Sequence, residues 1–203
     1  VYKRQQSVYV SYSTTMDNGM GLTAGFTLTN GAHAAGFSVD TGMGTLSTGT
    51  KWQMASAADK FDSLPANADV IKSNKVLGTY DDGDDNSGEG ILYMSPSMNG
   101  WKLAASVGEN NGSERVTSAA VKGSVMGVSV AAGVVDQADD ANDDSFVTLG
   151  YSIGGVNLGY GNYDSDVDDS TAMSVTTSVA GMTVGYRFDD LDAATDNLSL
   201  IHI

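Results

Sequence analysis

Apolar residues recur at every second position through most of the chain. Between Gly21 and Thr29, the residues Leu22, Ala24, Phe26 and Leu28 share one side, while Thr23, Gly25, Thr27 and Thr29 share the other. The same split sets Trp101, Leu103, Ala105 and Val107 against Lys102, Ala104 and Ser106. It returns as Val128, Val130, Ala132, Val134; as Val147, Leu149, Tyr151, Ile153; and as Met182, Val184, Tyr186, Phe188. Period-two alternation describes β-strands with one apolar face and one small or polar face, and the three- and four-residue spacing of a helix is not found. About twelve strands are predicted, near 7–16, 20–29, 34–40, 44–50, 90–96, 100–107, 115–124, 127–135, 145–153, 156–163, 171–179 and 181–188.

Two kinds of connection separate these strands. Gly-containing turns stand at Asp17-Asn18-Gly19, Thr41-Gly42-Met43-Gly44, Asn99-Gly100, Met126-Gly127, Gly154-Gly155 and Ala180-Gly181, which is hairpin chemistry. Longer acidic connections occupy 51–89, 109–114, 136–144 and 164–169, and a last one starts at Asp189. The two kinds alternate, so one end of the structure is expected to carry short turns and the other long loops.

The strand charges choose between a soluble sandwich and a barrel in lipid. Lys102, Lys122 and Arg187, with Lys51 if its strand runs one residue further, fall on the small or polar side beside Ala104, Ser118, Thr183 and Ser47. A charge facing hydrocarbon at mid-depth costs roughly 2–4 kcal/mol, so a lipid-facing set must lack it, and the apolar set does. A soluble sandwich would scatter Glu and Lys over its polar face; here that face is mostly Gly, Ala, Ser and Thr. The predicted fold is all-β, a transmembrane antiparallel up-and-down β-barrel. Trp101, just after a short turn, and Phe146, Tyr163, Tyr186 and Phe188, near the other strand ends, are expected in interfacial aromatic girdles.

Composition narrows the function classes. The chain has 203 residues, a net charge of −15, 25 Gly, 2 Pro and no Cys. No apolar run is long enough for a membrane helix, and a mean hydropathy of −0.13 excludes a helical bundle in lipid but suits half-apolar barrel strands. The missing cysteines exclude a disulfide scaffold and a Cys-based zinc site. A pI near 4.1 argues against nucleic acid and anionic lipid surfaces as partners. Both ends read as foreign sequence. Val1-Tyr2-Lys3-Arg4-Gln5 and Leu198-Ser199-Leu200-Ile201-His202-Ile203 can be encoded by DNA strings that are reverse complements over their shared length. Those strings resemble the end of a transposase adapter. Residues 1–5 and 198–203 are therefore expected to be adapter translation, leaving 6–197 as the natural segment.

One connection is out of scale. Residues 51–89 lack alternation, and unstructured loops of such length are usually functional or disordered. The part 52–62 has the composition of a short helix, and Asp81-Asp82-Gly83-Asp84-Asp85-Asn86-Ser87-Gly88-Glu89 is acidic. On its two sides stand Gly44-Thr45-Leu46-Ser47-Thr48-Gly49, then Gly90-Ile91-Leu92-Tyr93-Met94-Ser95-Pro96 and Trp101-Lys102-Leu103-Ala104-Ala105-Ser106-Val107. Hairpins, long acidic loop and these phrases, in this order over essentially all of 6–197, resemble the general diffusion porins of Gram-negative outer membranes, and most of all an acidic, small-residue-rich subgroup.

The resemblance implies a homotrimer of sixteen-stranded barrels in outer-membrane lipid, with the segment starting around the second strand and stopping around the thirteenth. It implies a passive channel for small hydrophilic solutes and ions, narrowed by an inward-folding loop at 51–89. Matched to that pattern, Asp59, Asp62 and Asp69 are candidate loop acids facing Lys51, Lys102, Lys122 and Arg187 on the wall. Opposite charges across a narrow aqueous gap set up a transverse field that orients dipolar solutes. The family's arginine cluster is replaced here by lysines with Arg187 alone. For each of these groups a solvated loop or lumen charge is the competing reading. Net acidity would favour cations mildly, softened by the wall lysines.

Other chemistry is thin. Asp82, Asp84 and Asn86 have the one-three-five spacing of a calcium loop, but the glycine is late, at Gly88, and Tyr93 stands where a bidentate Glu would be. A solvated acidic turn is the competing reading, and no other cofactor is expected. His33 is the sole histidine outside the two tails, and nothing assembles a nucleophile and base around it, so an enzyme is not expected. Gly19-Met20-Gly21 and Gly42-Met43-Gly44 precede strands rather than helices and cannot cradle phosphate. The alternative function is a secreted or surface-attached Asp/Gly-rich β-structural protein of the adhesin kind, against which no constant repeat period is found.

Overall fold

Alternation becomes one continuous sheet in the computed structural model, which describes residues 7–29, 32–49, 57–58, 61, 90–110, 114–137, 143–165, 169–191 and 197–202. The strands are β1 (Ser7–Thr15), β2 (Gly21–Thr29), β3 (Ala32–Asp40), β4 (Thr45–Gly49), β5 (Gly90–Met94), β6 (Lys102–Asn110) and β7 (Glu114–Val125). They continue as β8 (Val128–Gln137), β9 (Asp144–Ile153), β10 (Val156–Ser165), β11 (Ser170–Val179), β12 (Met182–Leu191) and β13 (Asn197–His202). Each strand pairs with the next in sequence, giving a 13-stranded sheet in chain order, and the twelve ranges read from the sequence correspond to β1–β12. Antiparallel pairing of sequence neighbours is an up-and-down meander and not the parallel coiling of a β-solenoid. No helix among the described residues is long and apolar enough to cross a membrane.

The thirteenth strand lies on the tail expected to be foreign. β12 offers a row of edge N–H and C=O groups, and an extended segment with Leu198 and Leu200 alternating can pair with it whatever its origin. Its register sets Leu198 opposite Phe188 and Leu200 opposite Tyr186.

Short turns close one end. Met126 and Gly127 (φ 51° and 83°) and Ala180 and Gly181 (φ 53° and 80°) take the doubly left-handed conformation whose twist matches the flanking strands. At the other end the expected contrast is weaker. The β2–β3 and β6–β7 connections are only 30–31 and 111–113, and 50–89 alone is out of scale. The 109–114 loop is shorter than expected because strand pairing runs on through Glu109 opposite Arg115 and Asn110 opposite Glu114.

The two faces divide as the alternation requires. Leu28, Leu103, Val107, Val134, Leu149 and Met173 are exposed on one, whereas Ala104, Ala120, Ala131, Thr148, Ala172 and Ser174 are buried on the other. Apolar side chains outward and small or polar ones inward invert the arrangement of a water-soluble domain. Lys102, Lys122 and Arg187 all share the covered side. Arg115 takes the opposite side, at the strand end and across from Glu109.

Two girdle assignments are corrected. Tyr186 and Phe188 stand on the outward side, but Phe146 and Tyr163 are buried on the covered one. Side-chain parity decides this, because Phe146 shares a side with Thr148, and Tyr163 is its direct partner across β9 and β10. Gly133, opposite Phe146 on β8, makes the room: a Cβ there would overlap the Phe146 ring. Leu92, Val116 and Val135 join them, so the covered face carries an apolar patch within its polar lining.

Candidate functional site

The patch borders β6 and β7, where three covered pairs stand in register: Lys102 opposite Lys122, Ala104 opposite Ala120, and Ser106 opposite Ser118. Successive covered positions are two residues apart, so the three pairs form a ladder from the short-turn end towards the long-loop end. Ser106 Oγ and Ser118 Oγ are hydrogen-bonded at 2.7 Å.

Part of the long connection rests on this ladder. The Ala57 N–H donates to Ser118 Oγ at 2.7 Å and to Ser106 Oγ at 3.0 Å. A local turn follows, in which the Phe61 N–H donates to the Ala58 carbonyl at 2.9 Å. Ala57 and Ala58 are fully buried, and Phe61 is buried with them in one cluster with Leu92, Ala104, Ala120 and Ala131. The small wall residues explain the fit, since alanines leave space that larger side chains would fill. Lys122 Nζ lies 5.2 Å from the Phe61 ring centroid, within the range of a cation–π contact.

Lys102 and Lys122 are adjacent on the covered wall, with exposed side chains. Arg187, on β12 opposite Ser174, is also on that face but only 1% exposed, so it is no freely solvated wall charge. A guanidinium so buried requires compensation, and Arg187 is not without a partner. Lys51, Asp59, Asp62, Asp69, Asp82, Asp84 and Asn86 lie outside the described residues. Of the stretch 52–62 expected as a helix, Ala57, Ala58 and Phe61 are described, all in turns. Among the described residues no group of three or more His, Cys, Asp or Glu side chains is placed to hold a metal ion.

Several contributors were not singled out from the sequence. Ser106 and Ser118 fall on the small or polar side by parity, but their direct opposition depends on register. Phe61 carried no pattern of its own. Asp144, assigned to a loop, is buried on the covered face as the first residue of β9. Its signal was the alternation of Phe146, Thr148 and Gly150, which extends backwards to it.

A family model described as Gram-negative porin matches residues 1–199 of the chain. No curated protein sequence matches it. Among solved structures, a triple mutant of the Rhodopseudomonas blastica porin is similar with a TM-score of 0.66 at 20% identity, covering 94% of this chain and 75% of the other. A second, more heavily substituted variant of the same porin gives 0.67 at 20% identity, with 94% and 75% covered. A further variant reaches 23% identity at a TM-score of 0.61, again over 94% and 75%. At these identities the structures speak for the barrel fold, and the family match carries the assignment. The chain belongs to the Gram-negative porins, and with its apolar face outward and its polar face lining the interior it is a passive β-barrel channel of the outer membrane rather than an enzyme.

Proposed function

We propose that the channel passes small hydrophilic solutes and ions, and that segment 51–89 narrows it from within. The observation supporting this is the bifurcated hydrogen bond from the Ala57 N–H to Ser106 and Ser118, which ties a buried turn of that segment to the lumenal wall. Diffusion needs no cofactor, because solutes move down their own gradient. Selectivity follows from pore width and lumenal charge. The net charge of −15 favours cations, and Lys102 and Lys122 soften that preference. Asp59, Asp62 and Asp69 are the proposed acids opposite these lysines and Lys51. Reversal potentials across planar bilayers under a salt gradient test the selectivity, and a clear anion preference overturns it.

Assembly as a homotrimer belongs to the same proposal, and a heat-modifiable band of three times the subunit mass in detergent is the expected result. Asp82, Asp84 and Asn86 are the proposed ligands if a structural calcium ion is bound. Calcium would then raise the melting temperature, and Asp84→Asn would abolish the shift. The tails 1–5 and 198–203 are proposed to be adapter-derived, so removing them should leave conductance unchanged.

A further inference from the structure

Methionine is concentrated at the short-turn end of the barrel. Met16 and Met20 flank the β1–β2 turn, Met43 tips the β3–β4 turn and Met98 lies in the β5–β6 connection. Met126 tips the β7–β8 turn and Met182 opens β12 just after the last short turn. Met126 is 97% exposed and Met43 76%. An unbranched thioether in water at a hairpin tip, where Asn, Asp or Gly is the usual choice, gains nothing from local turn chemistry.

Three outward aromatic residues brace the three most projecting of these sites. Tyr93 Oη donates to the Met43 carbonyl at 2.7 Å, across the turn. Trp101 exchanges backbone hydrogen bonds with Met98 at 2.8 and 3.0 Å, and its ring covers Gly123 on the outer wall. The Tyr151 ring lies beside Gly127, 3.7 Å from where a Cβ there would stand, immediately next to Met126. Each aromatic residue belongs to the exposed outer face or its rim, so the methionine tips continue the lipid-facing band by one step beyond an aromatic row.

We infer that Met43, Met98 and Met126 form a membrane-interface ring, in which flexible thioethers bend back from the hairpin turns, Met98 from the residue just before the Asn99-Gly100 tip, into the headgroup boundary of the lipid. The occupant is a lipid surface because the ring is continuous with the lipid-facing wall and carries no charge of its own. Tyr93, Trp101 and Tyr151 supply the rigid amphipathic part of this belt, and the Tyr93 hydroxyl reaches the β3–β4 turn. The methionines supply apolar cover that adapts to disordered lipid. The short-turn rim therefore sits flush with the interface instead of projecting into water.

The absence of native cysteine makes the test clean. Met43→Cys, Met98→Cys and Met126→Cys variants of the whole chain are spin-labelled one at a time and reconstituted in phosphatidylethanolamine–phosphatidylglycerol vesicles. Asp136→Cys, at the long-loop end, serves as the aqueous reference. Collision with oxygen relative to a water-soluble nickel chelate should be at least about threefold higher at the three tips than at the reference. Ratios equal to the reference place the tips in water, where they would suit a soluble partner, and overturn the inference. On the unaltered protein, a lipid with a headgroup-proximal diazirine should form adducts on the peptides containing Met98 and Met126. Adducts confined to strand interiors, with none at these turns, overturn it equally.

Discussion

Lys102 and Lys122 stand directly opposite each other on the lumenal side of β6 and β7, and Lys122 Nζ lies 5.2 Å from the centre of the Phe61 ring. Like charges directly opposed destabilise an antiparallel pair, so the two ammonium groups work against the sheet unless water or a neighbour relieves them. The Phe61 ring offers that relief to Lys122. Lys102, one strand away, keeps its charge exposed to the lumen.

Lys102→Glu replaces a repulsive pair by an attractive one and removes a lumenal cation. The folded barrel should gain about 0.2–1 kcal/mol. Cation preference should rise, read as a shift of the reversal potential in a potassium chloride gradient. An unchanged potential would show that Lys102 does not face the conducting path.

Ser106→Ala combined with Ser118→Ala removes both acceptors of the Ala57 N–H. A buried donor without a partner costs about 1–3 kcal/mol, roughly a 5- to 150-fold change in the balance between docked and released segment. Single-channel conductance should rise, and limited proteolysis should cut within 51–89 more readily. Equal conductance and equal cleavage would mean that the serines do not hold the segment.

Gly133→Val puts a branched side chain where even a Cβ overlaps the Phe146 ring and would stand 3.1 Å from Ala120 Cβ. Overpacking of this kind costs about 1–3 kcal/mol. The midpoint of urea unfolding in detergent should fall. The paired change Gly133→Val with Phe146→Ala should recover part of the loss, because the ring is the obstacle.

Ala180→Asn acts on the backbone. Ala180 holds φ at 53°, a conformation that Asn adopts far more readily than Ala. The position is exposed, so no packing is lost. A gain of about 0.5–1 kcal/mol is expected from thermal unfolding, with conductance unchanged.

Much of the barrel was legible because a half-buried strand writes its two faces into every second residue. Val147, Leu149 and Tyr151 against Phe146, Thr148 and Gly150 is sufficient to find β9 and its sidedness. Residue type misleads where large apolar groups occupy the polar side. Phe146 and Tyr163 look like girdle residues by type and position, yet parity alone turns them inward. The 109–114 connection reads as a loop because its residues are charged, whereas strand pairing continues there with Glu109 in register opposite Arg115.

Alternation along the chain is enough to define the strands, the up-and-down order, the outward apolar face and the inward side of Lys102, Lys122 and Arg187. These are local properties, fixed by alternation and by the turn residues between runs. Which groups of the covered wall come together was set in three dimensions: Ser106 with Ser118, the Ala57 N–H with both serines and Phe61 with Lys122, which stands in register opposite Lys102. The tertiary structure also decided that Arg187 is buried and that three methionine tips share one rim with three aromatic braces. Such contacts depend on register and on the return of a distant segment, and no periodicity along the chain encodes a distance across it.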